Sequence, residues 1–126
     1  PHKNPAESVA FFTALGFKFN QQFTNENATC MIVSENIYVM LLVESFFKTF
    51  TPKAIADAKK STEVLLCLSC DSRAEVDAQV AKAVAAGAST PTKAQDHGFM
   101  YQHGFEDLDG HLWELAYMDM SAFPKS

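Results

Sequence analysis

The chain has 126 residues, one domain's worth of sequence, and a chain of this size buries roughly two-thirds of the surface its unfolded form exposes. Hydrophobic residues at 48% and charged residues at 20% describe an ordinary globular composition, and the aliphatic run at residues 39 to 43 is far short of the roughly 20 residues of a bilayer crossing. Ten Lys and Arg against fifteen Asp and Glu give a net charge of -5 with a single Arg, Arg73, so no basic stripe for nucleic acid can be assembled.

Asn4-Pro5-Ala6-Glu7 carries a helix start: Asn at the N-cap, Pro at the first helical position and Glu three residues after the cap. The spacing of Val9, Phe11, Phe12 and Leu15 predicts an amphipathic helix over 5 to 15 that stops at Gly16. Residues 17 to 20 alternate as a half-buried strand that Phe23 could extend. Strands at 29 to 33 and 37 to 43 follow, separated by a turn at Ser34-Glu35-Asn36. Residues 44 to 61 read as a Phe-rich connector with a short helix over 54 to 60. Phe46, Phe47 and Phe50 in it either cover the sheet edge or face a ligand.

The second half repeats this order. A strand at 63 to 70 leads to a capping box at Ser72 and Glu75, a helix over 72 to 86 and a stop at Gly87. A strand at 89 to 93, bent by Pro91, precedes a turn at Asp96-His97-Gly98. Strands at 99 to 105 and 111 to 118 are joined by the tight turn Asp107-Leu108-Asp109-Gly110. Cys30, Cys67 and Cys70 are odd in number and lie in or beside strands, and the side chains of Cys67 and Cys70 point to opposite faces. They are expected to be buried and reduced, as in a cytoplasmic protein.

Gly16 and Gly87 stand 71 apart, and the terminal strands superpose at a shift of 73, setting Leu41 against Glu114. This is the mark of a duplicated unit. The expected fold is α+β, with paired βαβββ modules forming a curled mixed sheet with an enclosed cleft. The first module spans 1 to 43, the connector 44 to 61 and the second module 62 to 120. The second module opens with a strand and the first does not, so a strand is expected to lie before Pro1.

In the last strand, Trp113, Leu115 and Tyr117 share the face suited to a helix, and Leu112, Glu114, Ala116 and Met118 share the other. Glu114 is therefore a carboxylate among small and apolar neighbours, aimed at the expected cleft unless it is simply a solvated edge residue. Without a metal it should hydrogen-bond Tyr101 or His97, or bind a cationic or hydroxyl-bearing ligand.

The stretch Phe105-Glu106-Asp107-Leu108-Asp109-Gly110-His111-Leu112-Trp113-Glu114-Leu115 resembles the closing hairpin of the glyoxalase, bleomycin-resistance and extradiol-dioxygenase superfamily. Asn4 to Phe17 resembles its first helix and following strand, and Asp96 to Tyr101 resembles a stretch of its glyoxalase-like members. The resemblance implies a divalent ion held by His or Gln on the first strand, Glu on the fourth, His or Gln on the fifth and Glu on the eighth. Of these, Glu114 matches; the fourth-strand position falls on Leu41 or an apolar neighbour, the fifth falls near Leu65, and the first-strand position would precede Pro1. The function it implies here is small-molecule binding with no cofactor, the ligand contacting His97, Tyr101, Leu41, Leu65, Phe47 and Phe50. The alternative is a metal-dependent lyase, isomerase or dioxygenase using Zn, Ni, Mn or Fe with Glu114 as one ligand and as the catalytic group. A homodimer without nucleic-acid or membrane partners is expected.

Overall fold

A computed structural model describes residues 1 to 119 and Ser121. The fold is α+β and divides into two compact units, Pro1–Asp57 and the chain from Ala58 onward.

In the first unit, α1 (Pro5–Ala14) begins where the Asn4 side chain accepts the Glu7 N–H at 3.1 Å. Strands β1 (Lys18–Asn20), β2 (Ala28–Ser34) and β3 (Ile37–Leu42) form an antiparallel sheet in that order. Phe23 does not extend β1. Asn20 ends that strand by accepting the Gln22 N–H at 3.0 Å, and Gln21–Phe23 winds into a 3-10 turn. Beyond β3, His2 bridges Val43 in parallel, its N–H donating to the Leu42 carbonyl at 2.9 Å. The short helix α2 (Glu44–Phe47) and a 3-10 turn at Lys48–Phe50 follow.

In the second unit, β4 (Leu65–Ser69) runs parallel to β7 (Leu112–Met118), which pairs antiparallel with β6 (Met100–Glu106), which in turn pairs with β5 (Gln95–Asp96). Helix α3 (Arg73–Ala85) starts at Ser72, whose hydroxyl accepts the Glu75 N–H at 3.0 Å, and it buries Val76, Val80 and Ala83. Tyr101 donates to Asp77 of α3, which marks the Tyr101, His103 and Phe105 side of β6 as the helix-packed face. The directly paired Trp113 and Leu115 are buried on that face, as the alternation along the strand predicts.

Two expected elements are corrected. Residues 54 to 60 are not helical: the Thr51 hydroxyl turns the chain by accepting the Lys53 N–H, and further on Ala58 and Lys59 press against Gly110. A Cβ on Gly110 would lie 2.7 Å from the Lys59 nitrogen, and this tertiary contact outweighs a weak local helix preference. Residues 89 to 93 give only an isolated bridge, Ser89 to Glu106, because Pro91 has no N–H to offer a ladder. The strand forms later, as β5.

The duplication holds, at a different register. Met31 pairs Val39 as Phe105 pairs Trp113, and Cys30 pairs Met40 as Gly104 pairs Glu114, so both hairpins correspond at a shift of 74. A shift of 73 differs by one residue, and one residue turns every side chain to the other face. Leu41 therefore corresponds to Leu115 and sits with Val39, Thr29 and Met31, the last 0% exposed, on the side equivalent to the helix-packed face. Met40, not Leu41, is the counterpart of Glu114.

The turn joining β6 to β7 is organised by one buried carboxylate. Asp107 Oδ1 accepts the backbone N–H groups of Asp109 and His111, each at 2.9 Å, and Oδ2 accepts the Trp113 indole N–H at 2.8 Å. Gly110, at φ +92°, supplies the left-handed residue the turn needs. Replacing Asp107 with Ala strips a charged acceptor from three donors, one of them buried. The expected cost is about 2 to 3 kcal/mol, measured by urea denaturation.

Candidate functional site

The face of the second sheet turned away from α3 carries Leu65, Cys67 and Ser69 from β4, Leu112, Glu114 and Ala116 from β7, and Gln102, Gly104 and Glu106 from β6. Glu114 lies near its middle, paired with Cys67 on one side and Gly104 on the other. Gly104 is required by close strand approach: a Cβ there would meet the Trp113 carbonyl oxygen at 2.6 Å and Glu114 Cγ at 3.4 Å. The glycine lets the β6 backbone pass close against Glu114 and contributes no side chain to this face. Among the described residues the Glu114 carboxylate makes no hydrogen bond or ion pair.

Leu65 belongs to this face, paired with Leu112 and 56% exposed. Tyr101 does not. It lies on the helix-packed side, where its hydroxyl donates to Asp77 at 2.6 Å and Arg73 sits over its ring at 5.2 Å. His97 is at the tip of the β5 to β6 hairpin, its N–H donating to the carbonyl of Met100. Met100 pairs Met118, four residues from Glu114, or roughly 13 Å along the strand. The expected hydrogen bond from Tyr101 or His97 to Glu114 is thus not formed: strand parity removes the first and distance the second. Leu41, Phe47 and Phe50 belong to the first unit. Phe50 is 66% exposed and packs edge to face on Phe46 at 5.2 Å.

Cys67 is the residue that sequence reasoning missed at the site. It is exposed, not buried, and Cys70 is half-buried; only Cys30 fits the expected pattern. The alternation of Leu65, Cys67 and Ser69 held the signal once β4 was set beside β7. Partial burial pushes the Cys67 thiol above its ordinary range, and the Glu114 charge pushes it further. Cys70 is raised to about 11 by burial, then by Glu75, Asp71 and Cys67. Both are protonated thiols near neutral pH, and weak nucleophiles.

A second polar cluster ties β5 to α3 on the other side of the sheet. Arg73 grips Asp96 with two hydrogen bonds, 2.6 and 3.1 Å, and also donates to the Gly98 carbonyl. The Arg73 hydrogen bond, followed by the Gly98 N–H, holds the Asp96 carboxyl below its usual range. The cluster is exposed and internally satisfied, the mark of a structural clasp.

The family resemblance raises a divalent ion as a possible occupant of the Glu114 face, and the donors present do not fit one. On its own face Glu114 is flanked by the single Cys67 thiol and by a glycine with no side-chain donor, one carboxylate and one sulfur where a divalent site needs three or more ligands. Among the described residues no group of three His, Cys, Asp or Glu is placed to hold a metal.

Residues 1 to 115 match the family model described as the glyoxalase/bleomycin resistance protein/dioxygenase superfamily. A hypothetical protein from S. aureus shares the fold at a TM-score of 0.80 and 24% identity, over 92% of this chain and 87% of that one. A glyoxalase/bleomycin resistance protein/dioxygenase family enzyme from Burkholderia phytofirmans PsJN matches at 0.76 and 15% identity, over 93% and 92%. A genomically encoded fosfomycin resistance protein, FosX, from Listeria monocytogenes matches at 0.68 and 14% identity, over 96% and 89%. No curated protein matches the chain in sequence.

Removing the Glu114 charge should lower the Cys67 pKa, because a nearby anion disfavours the thiolate. It should still stay above that of a free thiol, since burial is the larger cause. Iodoacetamide alkylation of Cys67 against pH, followed by peptide mass mapping, should show the midpoint moving down in Glu114→Gln.

Proposed function

The chain belongs to the glyoxalase/bleomycin resistance protein/dioxygenase superfamily, and from that premise we propose that it is a cytoplasmic small-molecule-binding protein whose ligand contacts the Glu114 face. The observation that carries this reading is the half-buried Glu114 carboxylate, unpaired among the described residues, between Cys67 and Gly104 on an open sheet face. An unpaired carboxylate in partly desolvated surroundings favours a ligand that brings a cationic nitrogen or a hydroxyl donor. Leu65, Leu112 and Ala116 offer the apolar contact that a small organic molecule needs for the rest of its surface. The proposal includes no resident metal, since the paired neighbours of Glu114 on its face supply only one further donor, the Cys67 thiol.

The family resemblance alone points to His97, Tyr101, Leu41, Leu65, Phe47 and Phe50 as ligand contacts. In the second unit Leu65 keeps that role, and Tyr101 is assigned instead to the clasp on α3. The protein is further proposed to be a homodimer, the commonest symmetric assembly for a small duplicated fold. Light scattering should then report a mass near twice 13.9 kDa at low micromolar concentration.

The decisive experiment screens a library of small amines and polyols by thermal shift, then titrates each hit into wild type and Glu114→Gln by calorimetry. Loss of a charge-assisted hydrogen bond should weaken binding by about tenfold or more. Titration of metal-stripped protein with Zn, Ni, Mn and Fe(II) should show no sub-micromolar site. One-per-subunit binding at that affinity, abolished in Glu114→Gln, would overturn the metal-free reading.

A further inference from the structure

The Glu114 face depends on a residue that does not lie on it. Asp107 is in the turn before β7, 8% exposed, and its carboxylate is shared among the N–H groups of Asp109 and His111 and the indole of Trp113. The first two bonds fix the length of the turn. The third fixes which side of the sheet Trp113 occupies. Glu114 is the next residue, and strand geometry sends it to the opposite side. On its own side it must then meet Cys67 across the parallel pair and the bare Gly104 across the antiparallel pair.

We infer that Asp107 is the positioning residue of the Glu114 site, acting through Trp113 to set the register that lays Glu114 between Cys67 and Gly104. This rests on the proposal that the Glu114 face is where ligand binds, and it adds what determines that face. The turn backbone alone is a weaker constraint. Asp107 N–H donates to the His111 carbonyl and Gly110 N–H to the Asp107 carbonyl, but neither bond reaches a side chain of β7. The indole bond runs from the turn carboxylate to a side chain of β7 itself, and so bears on the facing of the strand.

The register can be read by cross-linking, with no ligand involved. Cys67 and residue 114 are paired on adjacent strands, so the change Glu114→Cys should let the new thiol form a disulfide with native Cys67 under mild oxidation, detected by peptide mass mapping. Adding Asp107→Ala should slow that cross-link by about tenfold or more at a temperature where circular dichroism shows the protein folded, since the geometric tolerance of a disulfide is narrow. A residue that only stabilises the turn would lower the melting temperature and leave the cross-link rate unchanged, and that result overturns the inference. If Asp107→Ala does not fold, Trp113→Phe decides: it deletes the indole donor while keeping an aromatic ring in the core. A slower cross-link supports the positioning role, and an unchanged one refutes it. Failure here leaves the binding proposal standing, whereas a Glu114→Gln variant that binds every hit normally would remove the binding proposal without touching the cross-link result.

Discussion

The second unit hangs on the bond between the Asp107 carboxylate and the Trp113 indole. The facing of a strand is set by its hydrophobic alternation together with the geometry of the turn that starts it, and once set it is inherited by every position after. In β7 that end is the Asp107 turn. Once Trp113 is committed to the helix-packed core, Leu115 follows it inward, and Leu112, Glu114 and Ala116 are delivered together to the other face. A buried polar bond is a strong choice for such an anchor. Its loss leaves an indole N–H unsatisfied in the core, so slipped registers are penalised more than loss of one apolar contact would penalise them.

The same parity argument explains the limits of what the sequence made legible. The element order, the helix starts at Asn4 and Ser72, the glycine stops and the β6 to β7 turn were readable because each is fixed by local chemistry within a few residues. The duplication was readable for the same reason, since both copies carry those signals. Its register was not. Aligning the copies on their apolar runs gave 73, whereas pairing across the hairpins gives 74, and the runs are apolar on both faces in β3, where alternation is weak. The error moved Leu41 onto the wrong side. Tyr101 was lost to the site differently: a hydroxyl on an alternating strand gives no hint that Asp77, on a helix 24 residues earlier, will accept its proton. Residues 54 to 60 failed because the contact that overrides their helix preference, Gly110, is about 50 residues away in sequence.

Of the candidate face, the positions of Glu114 and Leu65 on the side away from α3 are consistent with the alternation, and the exposure of Cys67 is not. A cysteine inside an apolar run suggests a buried thiol, and β4 is apolar on both faces. Its exposure follows from its place at the edge of the sheet, which only the strand order β4-β7-β6-β5 reveals.

The pairing of Cys67 with Glu114 also constrains the chemistry. A carboxylate beside a thiolate would be two like charges a few ångströms apart, and the system avoids this by keeping the thiol protonated. The face then carries charge at Glu114, and at Glu106 paired with Leu112, and none of the residues identified on it is a Lys, Arg or His. A protonated thiol is at most a weak donor to Glu114, so the carboxylate retains most of its capacity to accept. A metal-binding face needs several donors converging on one point. This face instead sets one strong acceptor beside the Cys67 thiol and Gly104, with apolar residues around it, and on the proposed binding role such an arrangement would favour ligands that bring a hydrogen to donate there. On the same proposal, a ligand with an anionic group at that position would meet repulsion from Glu114, and none of the residues identified on this face carries a cation to offset it, so the preference would follow from the register that puts Glu114 there.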